Sequence, residues 1–439
     1  MRLVLAVALL CLMLTGARAQ SASPSPASSP APSASETLAT GPTTTYTLPP
    51  DKLEKAKALY HLHGWLAVIG TVWSLVVLLG ILYLGVMARY RDWGERFSRY
   101  SFLQAWLVVP LLLLTLTVLD LPLNAFEHHI SLKYGLSVQG WGSWFGDAGK
   151  GFLVAAVFGA LLLWLMIFII RKSPRRWWFY FWLIAQPILV LAFIAEPLII
   201  DPLFFRFEPL DRNHPQLVDA IERVTQRGGL TIPRDRMFLM KASEKTNELN
   251  AYVTGFGPSK RVVVWDTTIQ KTSTPETLFV FGHEMGHYVL NHVIYGLVLT
   301  SAGMFIALYL IYLVSAWMLR RFGARWQIPG LGDWASLPMI FLILGIFSFF
   351  TSPIGNSISR TIEHDADIYG LEVTHGINPD PQEAAAHAFQ VLGELSLDYP
   401  YPNKLVTFWY GSHPTIGDRV RFAHAYDPWS KGQQPKYVK

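Results

Sequence analysis

Long apolar runs separated by short polar segments dominate the chain. Six of them, at 62–87, 101–123, 151–170, 177–200, 292–319 and 334–352, each supply about the 20 helical residues needed to cross the hydrocarbon core of a bilayer. The pattern predicts an α-helical polytopic membrane protein. A finer pattern interrupts it. Residues 51–63 mix charged and apolar positions as a short amphipathic lead-in helix would. Between the fourth and fifth runs lies a soluble block, 201–291. Within it the β-branched run RVVVW, Arg261 to Trp265, predicts a strand. Ser273-Thr274-Pro275-Glu276 offers a hydroxyl cap, a first-turn proline and a glutamate where a capping box needs one, so a helix is expected to begin there. After the sixth run the chain turns polar, with a further helix expected over 359–370. The expected organisation is membrane helices over 51–200 and 292–352, with a small α+β domain assembled from 201–291 and 353–439. No internal repeat is visible, which argues against a transporter built from duplicated halves.

The amino terminus adds a compartment. Arg2, the apolar stretch 3–14 and Ala17-Arg18-Ala19 form the three parts of a secretory signal over 1–19, with an uncleaved anchor helix as the alternative. The Ala/Ser/Pro-rich stretch 20–50 is a linker with too little apolar content to fold. The single cysteine, Cys11, lies inside the signal, so the rest of the chain holds neither a disulfide nor a thiolate for a metal.

Composition and charge agree with a membrane protein. Hydrophobic residues make up 51% of the chain and charged ones 15%. The net charge of +5 does not point to nucleic acid, because the arginines sit in short loops and not on a basic face. Those loops, 89–99, 171–176 and 320–325, fall on one side if all six runs span. Positive-inside bias makes that side cytoplasmic and the soluble parts extracytoplasmic. The expected location is a multi-pass protein of a bacterial-type inner membrane. Asp120 and Glu196 lie inside apolar runs near the extracytoplasmic ends. Interfacial or neutral carboxyls are the simpler account of both, and no role is assigned to them.

The chemistry lies in HEMGHYVLNH, 283–292. His283 and His287 are one helical turn apart on one face, so both imidazoles reach a single ion, and Glu284 is placed to act on a water there. This is the H-E-x-x-H zincin spacing. A hydrolytic zinc takes three protein ligands. His292, five residues beyond His287, would lie well around the helix and does not match the metzincin spacing. The better third ligand is downstream, in SRTIEHDADIYG, where Glu363 and Asp367 are four apart on one helical face. There the first would bind the metal and the second would orient a ligand imidazole through its free N–H. Alone, such an acidic pair is ordinarily a solvated face; its pairing with H-E-x-x-H is what singles it out.

The sequence resembles the integral-membrane zinc metalloproteases of the CAAX prenyl protease type, the a-factor and prelamin processing family, with HtpX-type proteases more distant. The likeness rests on NAYVTGFGPSKRVVVWDT (250–267), HEMGHYVLNH (283–292), SRTIEHDAD (359–367) and SHPTIGDR (412–419). It extends to PPDKLEKAKALYHL and DPLFFRFEPL and spans 49–425. The resemblance implies helices around an intramembrane chamber and one Zn2+ per chain held by His283, His287 and Glu363. It also implies Glu284 as general base, Asp367 and Arg419 bracing the site, and His413 as oxyanion donor. Asn250, with Ala251 beside it, would belong to the strand that holds substrate. Val263 joins them if RVVVW is an exposed edge strand pairing with an extended peptide; an ordinary interior strand is the equal alternative. The function so implied is a gluzincin-type endopeptidase acting on a protein or peptide substrate, lipidated or not, in contact with membrane lipid. Envelope quality control of the HtpX kind and a non-catalytic metal-binding scaffold are the alternatives. The departure is the amino terminus, where eukaryotic members have a first membrane helix.

Overall fold

The computed structural model describes residues 45–255 and 260–438. The expected signal and most of the expected linker lie outside the described residues. Among these, six helices are long and apolar enough to cross a membrane. The first, α1 (Pro50–Tyr83), has 34 residues, about 51 Å at 1.5 Å per residue. The expected lead-in helix and first apolar run are thus one continuous element. Gly85, at φ 63, takes the left-handed conformation that starts α2 (Val86–Phe97). The next membrane helices are α3 (Ser101–Lys133), α4 (Trp141–Lys172) and α5 (Trp177–Ala195). The last is prolonged by a π turn at Glu196–Ile200 and a final turn at Asp201–Phe204.

These helices carry apolar side chains on both buried and exposed faces. Leu112, Leu113, Ile167 and Phe181 are fully enclosed between them. Leu84, Leu153 and Leu191 are left 64–69% exposed. A helix apolar all round suits lipid and not water. At one end the three arginine-bearing loops come together. Arg91 donates to the Gln327 carbonyl at 3.0 Å and pairs with Asp333 at 3.5 Å. Arg171 donates to the Gly332 carbonyl at 2.7 Å.

The other end carries the soluble part. Its strands are β1 (Phe207–Pro209), then, after α6 (Pro215–Arg227), β2 (Met237–Met240), β3 (Ala251–Thr254) and β4 (Arg261–Trp265). They form one sheet in the order β1-β2-β4-β3, with β2 and β4 parallel and the outer pairs antiparallel. RVVVW is therefore a strand, but an interior one. Val263 is paired to Phe238 on one side and Tyr252 on the other, and its side chain is buried. The expectation that Val263 offers a free edge to a peptide is corrected by this order, because both its backbone neighbours already occupy the hydrogen-bonding directions. The edges of the sheet are β1 and β3, and β3 is the one that flanks β4.

After α7 (Asp266–Lys271) comes α8 (Thr274–Val289), which starts at the capping box of Ser273 and Glu276. The last two membrane helices are α9 (His292–Phe322) and α10 (Leu337–Thr374). The chain ends in α11 (Pro381–Leu395), α12 (Lys404–Tyr410) and α13 (Ile416–Ala425). α10 is a second departure from expectation. The final membrane run and the acidic segment are one 38-residue helix, so the division expected at 352 falls inside it. Proline 353 is carried within the helix, as membrane helices tolerate. A single continuous helix thus connects the arginine end to the acidic pair.

Candidate metal centre

Two helices meet here, and glycine is what lets them meet. A Cβ on Gly370 of α10 would stand 3.0 Å from the His283 backbone nitrogen, and one on Gly282 would stand 2.8 Å from the Val373 side chain. With hydrogens in their place, α8 and α10 cross closely enough for imidazoles on one to reach carboxylates on the other.

The crossing brings together three of the expected residues. His283 Nε2 and His287 Nε2 are 3.2 Å apart. Glu363 Oε2 lies 3.3 Å from His283 Nε2, and Glu363 Oε1 lies 3.6 Å from His287 Nε2. Two nitrogens each bound to a tetrahedral ion stand about 3.3 Å apart, so the spacing suits one shared cation. Glu363 Oε2 is buried with no hydrogen-bond donor, a costly state unless a cation meets it. The electrostatics agree. Burial disfavours charge on both imidazoles and lowers the pKa of His287, but at His283 Asp367 and then Glu363 outweigh burial and raise it. Two imidazoles and a carboxylate fit a divalent metal of the zinc type.

A second layer fixes the first. Asp367 Oδ1 is 2.8 Å from His283 Nδ1, which leaves Nε2 as the atom facing the cradle. Asp367 is itself held by Arg419, whose Nε and Nη2 donate to its two oxygens at 3.0 and 2.6 Å. The guanidinium lies over the Phe389 ring, 4.2 Å from its centroid. Both members of this pair are buried, so each requires the other.

The remaining expected residues lie at different removes from the cradle. Glu284 follows His283 on α8 and is half-buried, and its charge acts on Arg419. His413 Nε2 stands 3.4 Å from Glu363 Oε2 while Nδ1 meets the Ser412 hydroxyl at 2.9 Å. Its side chain is 44% exposed, more open than those of His283 and His287. Asn250 precedes β3, its backbone clamped to the Thr268 hydroxyl at 2.8 Å. Ala251 is fully buried within β3, and that strand packs against α8. Val263 is removed from the cradle edge by a whole strand. What the motif spacing did not reveal is the glycine crossing. Its signal was present as G-H-E-M-G-H and as Gly370, three residues after Asp367.

Comparison with known proteins agrees with this geometry. The profile of peptidase family M48 matches residues 211–427, and that of the CAAX prenyl protease N-terminal region, five membrane helices, matches 38–206. A relative named "Uncharacterized metalloprotease YhfN" in Bacillus subtilis is 34% identical over 86% of each chain. CAAX prenyl protease 1 of Saccharomyces cerevisiae is 26% identical over 69% of this chain and 68% of its own. The crystal structure of S. mikatae Ste24p has the same fold, with a TM-score of 0.71 at 23% identity over 85% of this chain and 90% of that one. The chain belongs to peptidase family M48: it is a multi-span membrane metallopeptidase of the CAAX prenyl protease type.

Proposed function

We propose that the chain is a zinc-dependent endopeptidase of the gluzincin type, with His283, His287 and Glu363 as the metal ligands. The observation that supports it most is the 3.2 Å separation of the two Nε2 atoms beside a buried Glu363 oxygen with no donor. When bound, zinc supplies Lewis acidity to the scissile carbonyl and to the attacking water. Glu284 takes the proton from that water and later delivers it to the leaving amine nitrogen. His413, the open imidazole beside Glu363, donates from Nε2 to the carbonyl oxygen as it becomes negative. Asp367 and Arg419 hold the His283 ring in one orientation. Asn250 and Ala251 begin the edge strand, where an extended peptide adds as one more strand through backbone hydrogen bonds.

The substrate is a protein or peptide reached from the side opposite the arginine loops. Positive-inside bias assigns those loops to the cytoplasm, so the cradle and the edge strand are extracytoplasmic, in a bacterial-type inner membrane. Prenylation occurs in the cytoplasm, and this orientation therefore favours exported or envelope proteins over a lipidated CAAX-like terminus. Glu284 argues against a scaffold, since a structural zinc would have a fourth protein ligand and no need of a base.

The test compares wild type with Glu284→Gln, both purified in detergent. Zinc is measured per chain, and cleavage is followed on a generic unfolded protein and on a farnesylated CAAX peptide. Equal zinc in both proteins is expected, with hydrolysis of the unfolded protein reduced about 10²–10⁴-fold in the variant. Cleavage of the farnesylated peptide alone would reverse the substrate assignment, and a zinc-free wild type would remove the metal site. A reporter fused after Lys439 is expected outside the cytoplasm; a cytoplasmic signal would overturn the orientation.

A further inference from the structure

His292 does not lie where a continuous helix would put it. Positions five apart on one α-helix are about 140° apart around the axis, and their side chains point away from each other. Here the helix is not continuous. Asn291, at φ 58 and ψ 27, is in the left-handed conformation between α8 and α9. Asparagine is among the few residues besides glycine that adopt it readily. The break turns the chain so that His292 Nδ1 comes to 3.2 Å from His287 Nδ1, with the two rings 5.2 Å apart and steeply inclined.

We propose that His292 is the positioning residue for His287, the counterpart of Asp367 for His283. The inference rests on the reading of His287 as a metal ligand through Nε2. With Nε2 turned to the cradle, the proton of the His287 ring sits on Nδ1, and the atom within reach of that proton is the lone pair of His292 Nδ1. His292 must then carry its own proton on Nε2. The hydrogen bond fixes both the tautomer and the rotation of the His287 ring, as a carboxylate or carbonyl does for other metal-bound histidines. The two ligand rings are thus oriented differently. His283 Nδ1 meets a carboxylate 2.8 Å away that is itself held by Arg419, whereas His287 meets a neutral ring. A neutral acceptor orients its ligand without adding a further negative charge beside Glu363. Asn291 gains a purpose from the same geometry, since a residue that resists the left-handed region would swing His292 off His287.

The experiment uses the full chain in detergent and reads zinc affinity by competition with a chelator, together with the visible spectrum of the Co2+-substituted protein. His292→Leu removes the acceptor, and His292→Asn returns an oxygen near the position of Nδ1. A loss of affinity of about 10–100-fold is expected for His292→Leu, with most of it restored in His292→Asn and a cobalt spectrum close to wild type in that variant alone. Thermal unfolding of the metal-free proteins is expected to be the same in all three. Wild-type affinity in His292→Leu would overturn the proposal, as would an equal loss in both variants or a fall in metal-free stability that accounts for the loss. His287→Ala serves as the reference. If that variant binds zinc as tightly as wild type, the ligand assignment fails first; if it loses zinc while His292→Leu does not, only the role of His292 fails.

Discussion

The membrane bundle and the catalytic domain each hold an apolar core, but they achieve specificity by different means. Inside the bundle the enclosed side chains are almost all aliphatic or aromatic, Leu112, Leu116, Ile167 and Phe181 among them. Its polar contacts are few, as with the Trp334 indole donating to Gln104 at 2.9 Å. The domain instead buries charge and, outside the metal cradle, answers several of those charges with a named partner. Asp367 has Arg419. Glu372, fully buried near the end of α10, accepts the backbone N–H of Tyr437 and Val438 at 2.7 and 2.8 Å and the Tyr426 hydroxyl. Glu276 has Ser273 and His387. The bundle is thus specified by volume, and lipid on its outer side offers no penalty for another apolar surface. The domain is specified by pairs, and a pair cannot be trimmed on one side without leaving a buried charge alone.

The sharpest break in this comparison is Arg419→Leu. It leaves Asp367 buried without its cation and is expected to destabilise the domain by about 3–5 kcal/mol, read as a lower unfolding temperature of the metal-free protein in detergent. Adding Asp367→Asn should recover part of that loss, since the stranded charge is then gone. A double variant no better than the single one would refute the pairing argument. In the bundle the matching experiment is Ile167→Val, at a fully enclosed position. It removes one methylene and should cost about 0.5–1.5 kcal/mol with zinc binding unchanged. A loss comparable to that of Arg419→Leu would erase the contrast.

The smallest effect is the most diagnostic in sign. His387 Nδ1 and Glu276 Oε1 are 2.8 Å apart. Hydrogen bonding to Glu276 raises the His387 pKa above 6.5 despite partial burial. The Glu276 pKa is opposed by burial but falls below 4.5 through His387 and Ser273. The histidine's contribution is fully present below 6.5 and is lost as pH rises through its elevated folded value; the glutamate's is present above 4.5 and is lost as pH falls through its depressed one. The stability difference between wild type and His387→Gln should therefore be largest between the two and shrink toward pH 9. Glu383 and Glu394 also face His387 and act in the same direction. A difference that does not change with pH would show that the pair is not titrating.

How much of this was legible in the chain depends on the range of the interaction involved. Helices were recognised wherever about 20 apolar residues ran together, because a bilayer forces every backbone group to be satisfied within its own segment. The start of α8 was legible because a capping box involves four neighbouring residues. Placing His283 and His287 on one face, and Glu363 and Asp367 on another, needs only the helical period. Beyond that range local pattern fails. RVVVW reads as a strand equally well at an edge or in the middle, and only the neighbours supplied by β2 and β3 made it interior. The last membrane run and the acidic segment read as two helices because polarity changes between them, with Pro353 at the change, yet the helix runs through that proline without ending. On spacing alone a continuous helix carries His292 away from His287; one residue in the left-handed region reverses that, and sequence spacing carries no sign of it. Local periodicity was enough to determine that the protein spans a membrane, that it holds the parts of a metal cradle and which side chains share a face. Tertiary structure decided strand order, the glycine crossing of α8 and α10, and the partners of His287 and Asp367. Strand order, the crossing and the Asp367–Arg419 pair depend on contacts between residues far apart in the chain, and the His287–His292 contact depends on one left-handed backbone turn at Asn291 that spacing does not encode.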